Sequence, residues 1–258
     1  ENIFFKSNIV KLKQKYLENC ENFLIIKTGQ KNEKKIVSTI KKISYSLGAI
    51  LKQNKLGKKF VEVKPNINLL NKFNLKKKKE KLRYHQTNLG GSIHSDGPQL
   101  SSPPKYIIMG CSQESTRGGL SVISRADKIY NYLKKNSPST LKVLENNFLF
   151  ERRGFHTNKF NTFKKPIFFK KNKKLKFRYL REYIEKGYDI HKLKMKKKQI
   201  SSLNYLDRLL EKKKFQQRFK LNTGDILIIN NNFLAHGRTK FSIKTSKGQR
   251  KLYRVWVK

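Results

Sequence analysis

Two stretches decide how this chain is organised: Gly90-Gly91-Ser92-Ile93-His94-Ser95-Asp96-Gly97-Pro98, and Asp225-Ile226-Leu227-Ile228-Ile229-Asn230-Asn231-Asn232-Phe233-Leu234-Ala235-His236-Gly237-Arg238. In extended backbone alternate side chains share a face, so His94 and Asp96 can reach one point while Ser95 turns away. The second stretch leaves the turn Leu221-Asn222-Thr223-Gly224, runs as a β-branched strand, and delivers His236. Two imidazoles and one carboxylate can cover one face of a divalent ion and leave the opposite positions open for chemistry. That ligand mixture suits Fe(II); Mg or Ca favours oxygen throughout, and structural Zn favours thiolate. Taken alone, His-x-Asp also occurs as a turn cap, and a single His as a hydrogen-bonded strand end, so the surroundings carry the reading.

Those surroundings alternate turn chemistry with short apolar runs. A Gly-rich turn, Asn88 to Ser92, precedes His94, and Gly97-Pro98 and Ser102-Pro103-Pro104 follow Asp96. Lys105 to Cys111 reads as a strand, and Arg117-Gly118-Gly119 turns the chain into a second one, Leu120 to Ser124. Gln249 to Val257 alternates as a last strand. The N-terminal third reads as helical, from Ile9 to Leu17 and from Glu33 to Leu51, the latter with Ile36, Ile40, Ile43, Leu47 and Ile50 at helical spacing. Asp127 to Lys135, Ser137 to Asn146 and Ser201 to Lys214 read as further helices. The pattern predicts a mainly β chain with flanking helices around a double-stranded β-helix, a cupin-like jelly roll. Residues 1–258 then form a single domain: 1–80 as helical support, 81–124 and 215–258 as core strands carrying the site, and 125–214 as an insert facing the substrate.

The order of the motifs carries a family resemblance. His94-x-Asp96-Gly97-Pro98, Ser102-Pro103-Pro104-Lys105-Tyr106, Gly118-Gly119-x-Ser121, Gly224 to Asn231, His236-Gly237-Arg238-Thr239-x-Phe241 and Arg250-x-x-x-Arg254 follow one another. The series resembles the taurine dioxygenase and clavaminate synthase-like Fe(II)/2-oxoglutarate-dependent oxygenases, over about the last two-thirds of the chain. The resemblance implies that His94, Asp96 and His236 hold Fe(II) and that Arg250 pairs with the far carboxylate of 2-oxoglutarate. A planar guanidinium matches a carboxylate in a bidentate fork. Ser121 stands where the family places a Thr on the same carboxylate, and Arg254, on the same strand face, is a further co-substrate or substrate contact. The implied activity consumes O2 and 2-oxoglutarate, releases succinate and CO2, and hydroxylates an unactivated C–H; the carboxylate at Asp96 argues against halogenation, since halogenating relatives lack it.

For the substrate, the resemblance points to a small molecule such as an amino acid or related carboxylate, either free or tethered to an acidic carrier protein. Arg178 and Arg181, within Phe177 to Tyr188, are candidate carboxylate contacts, set against a charged solvated face. Gln86 and Asn88 alternate with Tyr84 before the triad and are candidate polar contacts. His85, His156 and His191 lack a partner at ligand spacing. The formal net charge is +44, from 61 Lys and Arg against 17 Asp and Glu. The lysines are spread through almost every segment instead of being gathered on one element, which argues against a nucleic-acid-binding face. A basic nucleic-acid-binding protein with a non-catalytic metal site is the alternative from another class; a zinc hydrolase would leave Arg250 and Ser121 without a role. Two cysteines, Cys20 and Cys111, make no disulfide framework, and no secretory leader or membrane-length apolar run is visible, so a cytoplasmic location is expected. The chain begins at Glu1, so a native N-terminal segment is expected to precede it.

Overall fold

The computed structural model describes residues 2–19, 21–54, 56–66, 87–154, 161–242 and 249–258. Its central element is β10 (Asp225–Asn230), buried along its whole length. It pairs antiparallel with β1 (Phe23–Lys27) on one side and β3 (Tyr106–Gln113) on the other. β3 continues to β12 (Lys251–Val257), and β12 to β2 (Phe60–Val63), giving an antiparallel sheet in the order β1-β10-β3-β12-β2. A smaller antiparallel sheet has the order β11-β4-β9, from Leu234–Arg238, Ser121–Arg125 and Gln216–Phe219.

The two-residue period of a strand sorts these sequences between two cores. From β3, β10 and β12, the side chains of Ile108, Ile226, Ile228, Val255 and Val257 pack with Ile9 of α1 (Asn2–Leu12) and with Ile36, Ile40, Ile43 and Leu47 of α2 (Glu33–Leu47). Their alternates, Ile107, Cys111, Leu227, Ile229, Leu252 and Trp256, share a cluster with Ile123 of β4 and Leu234 of β11. The five-stranded sheet is thus covered by α2 on one face and meets the smaller sheet on the other. Behind the smaller sheet lies a third cluster. It is built from α3 (Ala126–Asn136), α4 (Pro138–Leu144), α5 (Arg181–Ile190), α6 (Lys197–Glu211) and the strands β5 (Asn147–Glu151), β7 (Phe168–Lys171) and β8 (Lys174–Phe177). β6 (Thr162–Pro166) pairs with β5. The described chain is therefore mixed helix and strand, with antiparallel sheets, and not mainly β, because helices fill most of the stretch between β4 and β9.

α2 starts where the Asn32 side chain accepts from the Lys35 N–H at 3.1 Å. It ends at Leu47, not at Leu51 as the apolar spacing suggests. Gly48 adopts φ 153°, and the Lys258 carbonyl lies 2.5 Å from where a side chain would begin. Ile50 leaves the helix and bridges Val257 at the sheet edge. Ile40 is fully buried, and its terminal methyl occupies the space that the missing side chain of Gly110 leaves on β3. Ile40→Ala should cost about 2–5 kcal/mol in urea unfolding. Metal affinity should not change, since this face of the sheet points away from the site described next.

Candidate metal centre and its cavity

The inward faces of the two sheets converge on one cluster. His236 lies on β11 with its side chain on the inner face, the same parity as Leu234. His94 lies in an irregular segment and meets β11 through a single antiparallel bridge: His94 N–H donates to the His236 carbonyl at 3.0 Å, and His236 N–H returns to His94 at 2.7 Å. The extended backbone ends at this bridge, in keeping with the breakers that follow Asp96 in the sequence: a bend at Asp96 and Gly97 at φ 68° turn the chain at once. The bridge brings the two imidazole centroids to 4.7 Å. Asp96 completes the group: Oδ1 lies 3.7 Å from His94 Nε2 and Oδ2 lies 3.9 Å from His236 Nε2. Both separations fall inside the roughly 4.2 Å that two ligands about 2.1 Å from one ion can span.

The donor chemistry fits a cation. His94 Nδ1 sits 2.9 Å from the Ser92 carbonyl, which can only accept, so in the neutral ring Nε2 presents a lone pair towards Asp96. Burial pushes the His236 imidazole down to about 3, against the opposing pull of Asp96, so its ring is neutral at physiological pH. Burial also acts to raise the Asp96 carboxyl, but the Arg254 guanidinium, with His94 and His236, outweighs it and holds the group well below the usual carboxylate range. A buried carboxylate facing two buried imidazoles is a site that a divalent ion completes. His94, Asp96 and His236 would hold that ion.

Asp96 is fixed from three directions. Arg254 Nη1 donates to Oδ1 at 3.1 Å and Trp256 Nε1 to Oδ2 at 2.8 Å, both side chains coming from the inner face of β12. The Asn231 side chain, just after β10, accepts from the Asp96 N–H at 2.9 Å and donates to the Asp96 and Pro104 carbonyls at 2.9 and 3.0 Å. Such supports typically change metal affinity 10–100-fold when removed. Asn231→Ala should therefore weaken Co(II) binding by about that factor in a direct titration while the protein still unfolds cooperatively.

The cluster opens onto a cavity of about 140 Å³ whose wall includes Ser121, Arg250, Arg254 and Trp256. Arg250 is buried, and its Nη2 stands 3.5 Å from Ser121 Oγ on β4. The structure thus gathers the triad, Ser121, Arg250 and Arg254 around one space. The sequence profile of the taurine catabolism dioxygenase TauD, TfdA family matches residues 40–256. The chain belongs to the TauD/TfdA family. Gamma-butyrobetaine dioxygenases from Homo sapiens and Pongo abelii are each 25% identical over 158 residues. That stretch is 60% of this chain but 41% of either protein, so the chain spans about two-fifths of the length of these curated relatives. Among solved structures, an asparagine oxygenase in complex with Fe(II), 2S,3S-3-hydroxyasparagine and succinate superposes with a TM-score of 0.74, at 13% identity, over 99% of this chain and 79% of that one. The non-haem iron oxygenase OrfP, in complex with Fe and alpha-ketoglutaric acid, gives 0.70 at 13% identity, over 98% and 78%. At that identity the likeness is one of fold.

Within this TauD/TfdA chain, three of the candidate substrate contacts are placed elsewhere. Arg178 is buried, donates through Nη1 to the carbonyls of Pro98 and Leu100 at 2.8 and 2.7 Å, and is not part of the cavity wall. It braces the loop after Asp96. Arg181 pairs with Glu185 at 2.6 Å and Asp207 at 3.1 Å, tying α5 to α6. Asn88 exchanges hydrogen bonds with the Phe241 backbone. Gln86, with His85, His156 and Cys20, lies outside the described residues. His191 sits 2.5 Å from Thr162 Oγ1, away from the cluster. The neighbourhood of Arg178 and Arg181 does reach the cavity, but through Leu180, Glu182 and Tyr183. Arg153 joins them there, stacked 5.1 Å from the Tyr183 ring. Trp256 could have been found from its alternation with Arg254; Gln53, also in the wall, and Asn231, which lies behind Asp96, carry no local signal.

Proposed function

We propose that this chain is an Fe(II)/2-oxoglutarate-dependent dioxygenase that hydroxylates an unactivated C–H of a small molecule, an amino acid or related carboxylate. The observation that carries the reading is the convergence of His94, Asp96 and His236 beside Arg250 and Ser121 in one cavity. When bound, iron with 2-oxoglutarate and O2 would supply the oxidative chemistry; the protein's part is placement. Arg250 and Ser121 would receive the far carboxylate of the co-substrate and so set its orientation. Arg254 and Trp256 would keep Asp96 ionised and aimed. The cavity wall carries charges of both signs, Arg153 and Glu182, with Leu180 and Tyr183 between them in character, which suits a small zwitterion. Two facing antiparallel sheets supply the scaffold, which we read as a double-stranded β-helix within a single oxygenase domain.

No helix among the described residues is long and apolar enough to cross a membrane. The test is anaerobic addition of Fe(II) and 2-oxoglutarate to the metal-free protein. A visible charge-transfer band that disappears in His236→Ala, followed by succinate release stimulated by free amino acids, supports the reading. Turnover of a carrier-tethered acid but not of the free one would move the substrate to the tethered form. Absence of the band, with salt-sensitive RNA binding that survives His94→Ala, would sink it.

A further inference from the structure

The N-terminal third carries no motif of the family series, yet one of its residues holds the metal site from behind. The chain pairs with the same edge of β12 twice. Ile50 bridges Val257 and the Leu51 N–H donates to the Trp256 carbonyl at 2.9 Å; after an excursion, Phe60 to Val63 pair with Val255 to Leu252. The excursion closes on itself, with Gln53 N–H on the Lys58 carbonyl at 2.8 Å and Gly57 N–H on Asn54 at 3.0 Å. At this interruption, the Gln53 side chain takes over from the main chain.

Its amide closes on Arg254 from two sides. Gln53 Nε2 donates to the Arg254 carbonyl at 2.8 Å and to the Lys59 carbonyl at 2.8 Å, while Gln53 Oε1 accepts from Arg254 Nε at 2.9 Å. Gln53 is 5% exposed, so these bonds form away from competing water. One amide therefore fixes both the strand position and the side-chain conformer of Arg254. With Nε held by Gln53, the guanidinium fork directs Nη1 onto Asp96 Oδ1 at 3.1 Å. The plane is further set by the Trp256 ring, 5.2 Å from the guanidinium carbon.

We infer that Gln53 is a positioning residue for the metal centre, acting through Arg254 to set the orientation of the Asp96 carboxylate. The inference rests on the proposed reading of His94, Asp96 and His236 as metal ligands. Without the clasp, Arg254 has several rotamers of similar energy and Asp96 loses one of the two donors that define its plane. An aliphatic side chain at 53 fills the same space but cannot make the selection.

The test uses Co(II), whose visible ligand-field spectrum reports the geometry of its ligands without turnover. Gln53→Leu, Arg254→Ala and the double variant are loaded with Co(II) and compared with the wild type. Gln53→Leu should shift the bands in the same sense as Arg254→Ala, and the double variant should match Arg254→Ala, as expected when one residue acts through the other. Gln53→Glu keeps an acceptor for Arg254 Nε, loses both donations to carbonyls and draws the guanidinium from Asp96; it should give the same shift if Gln53→Leu fails to fold. A wild-type spectrum in a folded Gln53 variant, or a double variant showing the sum of the two shifts, would overturn the inference. A wild-type protein that takes up no Co(II) at all would overturn the metal reading beneath it.

Discussion

Asp96→Ala should destabilise the metal-free protein by about 3 kcal/mol and also remove its divalent-metal site. The two effects have separate causes. Asp96 and Arg254 have side chains 6% and 14% exposed, and deleting one partner of such a pair leaves the other charge in a poorly solvated place, typically at about 3–5 kcal/mol. Trp256 Nε1 loses its acceptor in the same step. His236→Ala makes the informative contrast. It also removes a ligand, but His236 Nδ1 is buried without a hydrogen-bond partner among the described residues, and the main-chain bridge to His94 survives the truncation. Both variants should therefore fail to bind Co(II), while Asp96→Ala alone unfolds at markedly lower urea. Equal stability losses would mean that Arg254 is not compensated by Asp96. The pH dependence has a definite sign. Asp96 is held below its unfolded value near 3.9, so its contribution is complete above that pH and fades only as acid takes the pH below it. Asp96→Ala should flatten that acid limb.

The parts of this molecule that could be read in the sequence were those in which the backbone period does the sorting. β10 is apolar on both faces because α2 covers one side and β4 and β11 meet the other, and an uninterrupted Ile-Leu-Ile-Ile run admits little else. The even-numbered residues of β12, Leu252, Arg254 and Trp256, face the cavity together and follow from one alternation, whereas Arg250 joins them from just before the strand, ahead of an irregularity at Lys251 and Leu252. What could not be read depends on contacts between distant segments. Arg178 looks like a ligand-binding arginine until the carbonyls of Pro98 and Leu100 are brought against it. Arg181 opens a helix, so the residues that reach the cavity are Leu180, Glu182 and Tyr183, not the two arginines. β1 and β2 are short strands whose partners lie far along the chain, and Gln53 gains its role only because β12 runs past it.

Arg250→Ala should weaken 2-oxoglutarate binding by about 3 kcal/mol, roughly a hundredfold, with little change in Co(II) affinity. Arg250 is 5% exposed, so a carboxylate reaching it exchanges water for a guanidinium in a partly dry cavity, and loss of that partner leaves the anion unmatched. Ser121 Oγ, 3.5 Å from Nη2, lies close enough to join the same carboxylate but can offer only one neutral donor, so Ser121→Ala should cost about 1 kcal/mol. Arg250→Lys separates charge from shape. An ammonium keeps the positive charge but not the parallel pair of N–H groups, so binding should recover only part of the loss. The nearby Cys111 thiol, which burial pushes up to about 12, remains protonated and adds no competing charge. The measurement is a 2-oxoglutarate titration of the metal-loaded protein under nitrogen, scored by the charge-transfer band. Wild-type affinity in Arg250→Ala would remove Arg250 from the co-substrate site and transfer that role to Arg254, the neighbouring guanidinium in the same wall.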